Sequence, residues 1–131
     1  MRRILVVEDS ASTRSFIRSA LEGSGTLGSC DISEASSGFD ALRLLPRGPY
    51  DLVITDINMP DINGLELVQF IRKSDRHRST ALIIISTQSS EKDRTRGLSL
   101  GADEYLPKPL SIDMLISAVD RLLSSRPVAN G

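Results

Sequence analysis

The chain has 131 residues, 16 basic and 17 acidic, so a net charge of −1 leaves no global field to draw nucleic acid or a membrane surface. With 40% apolar and 25% charged residues it has the composition of an ordinary globular domain, long enough for one core and too short for two. The single Cys30 excludes an internal disulfide, and the opening "MRRILVVEDS" has too few apolar residues for a signal peptide or membrane span, so a soluble cytoplasmic protein is expected.

"RILVV" (3–7) is apolar on both parities, as in a parallel strand covered on both faces, and runs into Glu8 and Asp9. Phe16, Ile17, Ala20 and Leu21 then repeat at helical spacing until Gly23 and Gly25 end the helix, and the segment 22–31 becomes a surface loop. A weaker strand fits "DISEA" (31–35), followed by a helix over "GFDALRLL" (38–45) that Pro46 and Gly48 stop. "LVIT" (52–55) is the third strand. It runs into Asp56, and Asn58, Met59 and Pro60 break it off.

A third helix starts near Gly64, with Leu67, Val68 and Ile71 on one side. The basic run "RKSDRHRS" (72–79) is interrupted by Asp75 and lies where a helix-to-strand loop belongs. It reads as a solvated loop, not a nucleic-acid contact, and His77 stands alone there without companions for a metal. "ALIIIS" (81–86) is the fourth strand and ends in Ser86 and Thr87. The segment "SEKDRTRGLSL" (90–100), poor in apolar residues and containing Gly97, predicts a loosely held helix.

A weak fifth strand, "DEYLP" (103–107), leads to Lys108 and Pro109, and the last helix carries Leu115, Ala118, Val119, Leu122 and Leu123. The domain therefore spans 1–124, with the breaker-rich 125–131 as a flexible tail or the start of a linker. No helix-turn-helix fits in what remains, so direct nucleic-acid binding is not expected.

Strands alternating with helices imply an α/β domain whose ligands sit beyond the carboxyl ends of the strands. Glu8, Asp9 and Asp56, with Ser86, Thr87 and Lys108, gather at that edge. Singly, each has a bland reading: a cap, a strand-end hydroxyl, a solvated lysine. Together they read as a site. Three crowded carboxylates repel unless a cation joins them, and with only oxygen donors at hand a hard ion, best Mg²⁺, is implied. Such an ion serves phosphoryl groups, which makes Asp56 available as a nucleophile, Lys108 as a charge for a phosphoryl oxygen and Ser86 as a donor to another.

The stretches "VVEDS", "VITDINMPDINGLEL", "IIIST" and "LGADEYLPKPL", in this order from Arg3 to about Leu123, resemble the receiver domain of two-component response regulators, the third-strand motif being close to that of the stand-alone chemotaxis regulator. The resemblance implies a flavodoxin-like three-layer (βα)5 sandwich with sheet order 2-1-3-4-5. It makes Asp56 the phosphoacceptor, served by a sensor histidine kinase or phosphotransfer protein. Asp9, Asp56 and the Asn58 backbone carbonyl would hold Mg²⁺, with Glu8 acting mainly through water. Ser86 matches the switch hydroxyl, Tyr105 the switch aromatic and Lys108 the motif lysine, and a cis Lys108–Pro109 bond is implied. Thr87 is bulkier than the small residue the family usually has there, and is expected to narrow the phosphoryl entrance.

Asn58 and Gln88 flank the presumed water path to Asp56, so both are expected to set the lifetime of the adduct. Moving from about one-tenth to nine-tenths active takes roughly 2.6 kcal/mol of differential affinity, and one charge-assisted hydrogen bond contributes about 1.5–3 kcal/mol. New contacts from Ser86 and Lys108 would suffice. As Ser86 moves, Tyr105 is expected to turn inward, altering the face formed by the fourth helix, fifth strand and last helix for an output protein or domain. The chain is then no enzyme beyond its own phosphorylation and dephosphorylation.

Other readings fit less well. A haloacid-dehalogenase-type hydrolase needs a second Asp where Asn58 stands. A flavodoxin-like cofactor binder would place an anion near Ser10, Ser12 and Thr13, against Glu8 and Asp9. The remaining alternatives are a receiver-like interaction module working without phosphorylation, and the N-terminal receiver of a larger regulator.

Overall fold

The computed structural model describes residues 1–25, 28–88 and 90–127. Five strands, β1 (Arg2–Val7), β2 (Cys30–Ala35), β3 (Leu52–Asp56), β4 (Ala81–Ser86) and β5 (Glu104–Pro107), form one parallel sheet in the order β2-β1-β3-β4-β5. Helices α1 (Ala11–Glu22), α2 (Gly38–Leu44), α3 (Gly64–Lys73), α4 (Glu91–Ser99) and α5 (Ile112–Ser124) connect and follow the strands. This is the order the resemblance implied, and the Lys108–Pro109 bond is cis as expected, as is Gly48–Pro49.

The apolar parity of the strands now has its reason. Ile4, Val6, Leu52, Ile54, Ile83 and Ile85 face one core, against α1 and α5 through Ile17, Leu21, Leu115, Val119 and Leu123. Leu5, Val7, Val53, Leu82 and Ile84 face the other, against α2 and α3 through Ala41, Leu44, Leu67, Val68 and Ile71. From Ile4 onward in β1, and throughout β3 and β4, each residue buries its side chain on whichever face it points to, so an alternating pattern would fail. The helices begin where a polar side chain accepts a free N–H: Ser10 from Thr13, Ser37 from Asp40, Asn63 from Leu65, Ser90 from Asp93 and Ser111 from Met114. Among the described residues no helix is long and apolar enough to cross a membrane.

Some boundaries differ from expectation. Pro46 does not end the second helix outright but sits in a 3-10 turn, Leu45–Arg47, near whose start its missing N–H costs little. β3 extends through Asp56, which pairs with Ile85, and β1 and β2 start together at Arg2 and Cys30. Asp103 lies outside β5, where its carboxylate accepts the Leu82 N–H at 2.9 Å and pairs with Arg72 at 3.1 Å. Most of the segment 22–31 is a connection as expected, though positions 26–27 lie outside the described residues.

The basic run closes α3 with Arg72 and Lys73 and continues as a mostly exposed loop, as expected, but two of its arginines are tied to backbone carbonyls. Arg72 donates to the carbonyls of Gly101 at 2.8 Å and Thr80 at 2.7 Å, and Arg76 to that of Pro46 at 2.9 Å. His77 is buried, its Nδ1 has no hydrogen-bond partner among the described residues, and burial, with Arg76 adding to it, holds its pKa below the usual histidine value.

At the amino-terminal edge of the sheet, Arg2 donates to Asp51 at 3.2 Å and to the carbonyls of Leu123 at 2.8 Å, Arg126 at 3.0 Å and Pro127 at 3.3 Å. That guanidinium ties the start of β1 to the end of α5.

Candidate functional site

From β1 the chain passes to β2 on one side, and β3 lies on the other, so the strand order reverses between β1 and β3 and opens a crevice at their carboxyl ends. Glu8 and Asp9 follow β1 there, and Asp56 closes β3. Glu8 is fully buried and Asp56 nearly so, while Asp9 is exposed. One oxygen from each lies within 4.8 Å of the others. Lys108, just past β5, places Nζ 2.5 Å from Glu8 Oε1 and 3.1 Å from Asp56 Oδ2.

Burial pushes the Glu8 carboxyl above its usual pKa, outweighing the bonds from Lys108 and the Ser10 N–H, and Asp9 and Asp56 push it the same way. Burial would lower the Lys108 ammonium, but its bonds to Glu8 and Asp56 prevail and hold it above the usual lysine value. Three carboxylates against one ammonium leave two negative charges uncompensated, the complement of one divalent cation, and the donors are all oxygens. The residues fit such an ion.

The surroundings hold Asp56 closely. The Ile57 N–H donates to Oδ1 at 2.8 Å, which leaves Oδ2 towards Lys108. The Gly64 N–H donates to the Ile57 carbonyl at 2.8 Å, and a Cβ at position 64 would stand 2.1 Å from the Asp56 carbonyl oxygen. The start of α3 can therefore seat against the end of β3 only through glycine.

Two residues absent from the sequence reading support the site. Asp61, in the loop after β3, accepts the N–H groups of Gly38 and Phe39 at 2.9 Å each and of Ile62 at 2.6 Å, binding that loop to the start of α2. Desolvation works against the ionised Asp61, but the N–H groups of Phe39, Ile62 and Gly38 and the Ser37 hydroxyl hold its pKa at about 2. Arg14 donates from Nη1 to the carbonyls of Glu8 at 2.7 Å and Asp9 at 3.3 Å. Both look like ordinary polar residues in a turn and on a helix, and only the tertiary contact distinguishes them.

Ser86 is fully buried at the end of β4. Its Oγ accepts the Gln88 N–H at 2.9 Å, and its carbonyl accepts the Lys108 N–H at 2.9 Å. The Tyr105 hydroxyl donates to the Gln88 carbonyl. Gln88 thus meets both predicted switch residues through its backbone, while its side chain, like those of Asn58 and Thr87, is exposed. The expected inward turn of Tyr105 needs correction, because the ring already stands inside at 2% exposure. Gly97 makes the room, since a Cβ there would lie 2.9 Å from Tyr105 Cδ2.

A family model described as the response regulator receiver domain matches residues 4–120. A probable transcriptional regulatory protein of Picosynechococcus sp. is 39% identical over 92% of this chain and 49% of its own length. The receiver domain of the Francisella response regulator 1452 is 34% identical with a TM-score of 0.85, covering 95% of this chain and 98% of that one. The chemotaxis response regulator CheY4 of Vibrio cholerae is 28% identical with a TM-score of 0.84, covering 94% and 99%. The chain spans about half the length of the curated relatives it matches.

Proposed function

The chain belongs to the response regulator receiver domains of two-component phosphorelay signalling, and on that premise we propose that Asp56 accepts a phosphoryl group from a histidine kinase or phosphotransfer protein. The observation that carries this is the meeting of Glu8, Asp9 and Asp56 within 4.8 Å, with Lys108 bonded to two of the three.

Asp9, Asp56 and the Asn58 backbone carbonyl would hold Mg²⁺, and Glu8 would act through water. When bound, the ion neutralises charge shared between the carboxylates and the phosphoryl oxygens. An Asp56 carboxylate oxygen forms the new bond to phosphorus as the phosphorus–nitrogen bond of the donor imidazole breaks, with the electron pair leaving on nitrogen. Oδ1 is held by the Ile57 N–H, so Oδ2 is the attacking atom. Lys108 then shifts its hydrogen bond to a phosphoryl oxygen. Ser86 donates to another, because its bond from Gln88 leaves its own hydroxyl proton unused. Asn58 and Gln88 would set the pace at which water reverses the step.

Drawing Ser86 towards the phosphoryl group pulls on the Gln88 backbone, which also carries the Tyr105 hydroxyl. The signal therefore reaches α4, β5 and α5 through the backbone of one residue, and that face meets an output protein or domain. Residues 1–124 would form the receiver, and positions 128–131 of the expected tail or linker lie outside the described residues.

Acetyl phosphate with Mg²⁺ should add one labile phosphoryl mass to the wild-type chain and none to Asp56→Asn. An adduct of equal yield on Asp56→Asn overturns the assignment. Beryllofluoride should shift amide resonances at 88 and 90–108, and silence there removes the proposed switch path.

A further inference from the structure

The acidic pair Glu8–Asp9 sits in a three-residue connection, where backbone order is not supplied by a helix. The Glu8 N–H still bonds to the Ala35 carbonyl of β2 at 3.0 Å, but beyond it the sheet ladder has ended. Arg14 takes over. Its Nη1 holds the Glu8 and Asp9 carbonyls, and its Nε donates to Glu34 Oε1 on β2 at 3.2 Å. Glu34 in turn is fixed by Arg18 Nε at 2.8 Å, and Arg18 also reaches the Ile32 carbonyl at 2.9 Å. Both sides of the Glu8 residue are thereby referred to β2.

An exposed ion pair alone would contribute little. A guanidinium nitrogen on a backbone carbonyl at 2.7 Å is a charge-assisted bond of fixed direction. The sign of the charge is informative. A cation beside a site for a cation lowers the ion's affinity by Coulomb repulsion, so a favourable effect of Arg14 must come through geometry.

We propose that Arg14 is a positioning residue for the divalent-cation site: braced by Glu34, it holds the Glu8–Asp9 backbone so that both carboxylates project at the spacing one ion needs. The proposal rests on the reading of Glu8, Asp9 and Asp56 as the residues that hold the ion. It gives Glu34 on β2 and Arg18 on α1 a part in the site.

Calorimetric titration of the full chain with MgCl₂ tests this, together with carbonyl ¹³C shifts at Glu8 and Asp9. Arg14→Ala should bind Mg²⁺ about tenfold more weakly than wild type, the usual scale for losing a residue that orients a ligand, although charge removal alone would tighten binding. Arg14→Lys keeps the charge and loses the forked contact. It should also weaken binding and shift both carbonyl resonances, whereas a role for charge alone leaves it at the wild-type affinity. Wild-type binding with equal or tighter binding by Arg14→Ala overturns this inference and leaves the cation site standing. A wild-type chain that takes up no Mg²⁺ overturns both.

Discussion

Helices α3 and α4 follow one another in the chain, have nearly equal lengths of 10 and 9 residues, and are seated on the sheet in opposite ways. α3 buries Gly64, Leu67, Val68 and Ile71, and its first residue touches the backbone of Asp56. Of the described residues of α4 only Gly97 is fully buried, and Leu98 is its single apolar side chain partly buried against the core. The element behind Asp56 is thus locked to the strand, and α4 rests chiefly on a tyrosine ring. A receiver needs both, a site that keeps its geometry through the chemistry and a surface that a few kcal/mol can rearrange.

The strongest way to break this contrast is at Gly64. Gly64→Ala pushes a methyl into the Asp56 carbonyl, and the expected loss is about 3 kcal/mol, the upper end for overpacking. Urea unfolding measures it, and a change under about 0.5 kcal/mol would mean that α3 is not locked as described. At the other helix, Ser90→Ala removes the cap that accepts the Asp93 N–H, a loss of about 1 kcal/mol. Hydrogen exchange should show it as faster opening of α4 with the α3 amides unmoved. If α3 accelerates equally, the two helices form one cooperative unit.

Gly97→Ala should be smaller still. Helix propensity gains about 1 kcal/mol, the crowding of Tyr105 offsets it, and the net change stays below about 1 kcal/mol. The readout is therefore the ring: Tyr105 resonances should move towards solvent-exposed values while global stability barely changes.

The smallest effect is one of pH. Because His77 is held neutral in the folded chain, the unfolded chain carries the extra proton between the depressed pKa and about 6.5, and stability falls as pH drops through that window. Glu8, with its raised pKa, works in the opposite sense, adding stability as it takes up its proton on acidification. The wild-type minus His77→Gln difference isolates the histidine, and a flat difference between pH 5 and 7 would deny it any role.

Much of this was legible in the residues. Runs such as "ALIIIS" declare a strand buried on both faces, and an acid closing such a run, as Asp56 does, has little reason to be there except chemistry. Lys108 and Ser86 follow from reading strand ends. Distance in sequence hides the rest. Arg14 and Asp61 act on backbone groups of other elements, which no local pattern reports. Gly97 looked like a weak point in a poor helix, whereas it makes room for Tyr105. The run around His77 looked polar, yet Arg72 and Arg76 donate to backbone carbonyls and the imidazole lies inside.

The guanidinium of Arg2, bonded at once to the Asp51 side chain and to three carbonyls between Leu123 and Pro127, brings the two extremities of the fold within one side chain's reach. Circular permutation should therefore be tolerated, with a short glycine bridge after Pro127 and new termini cut at the exposed Gly23–Gly25 stretch. A permuted chain would let a reporter be inserted at that edge without crossing the pocket of Asp56.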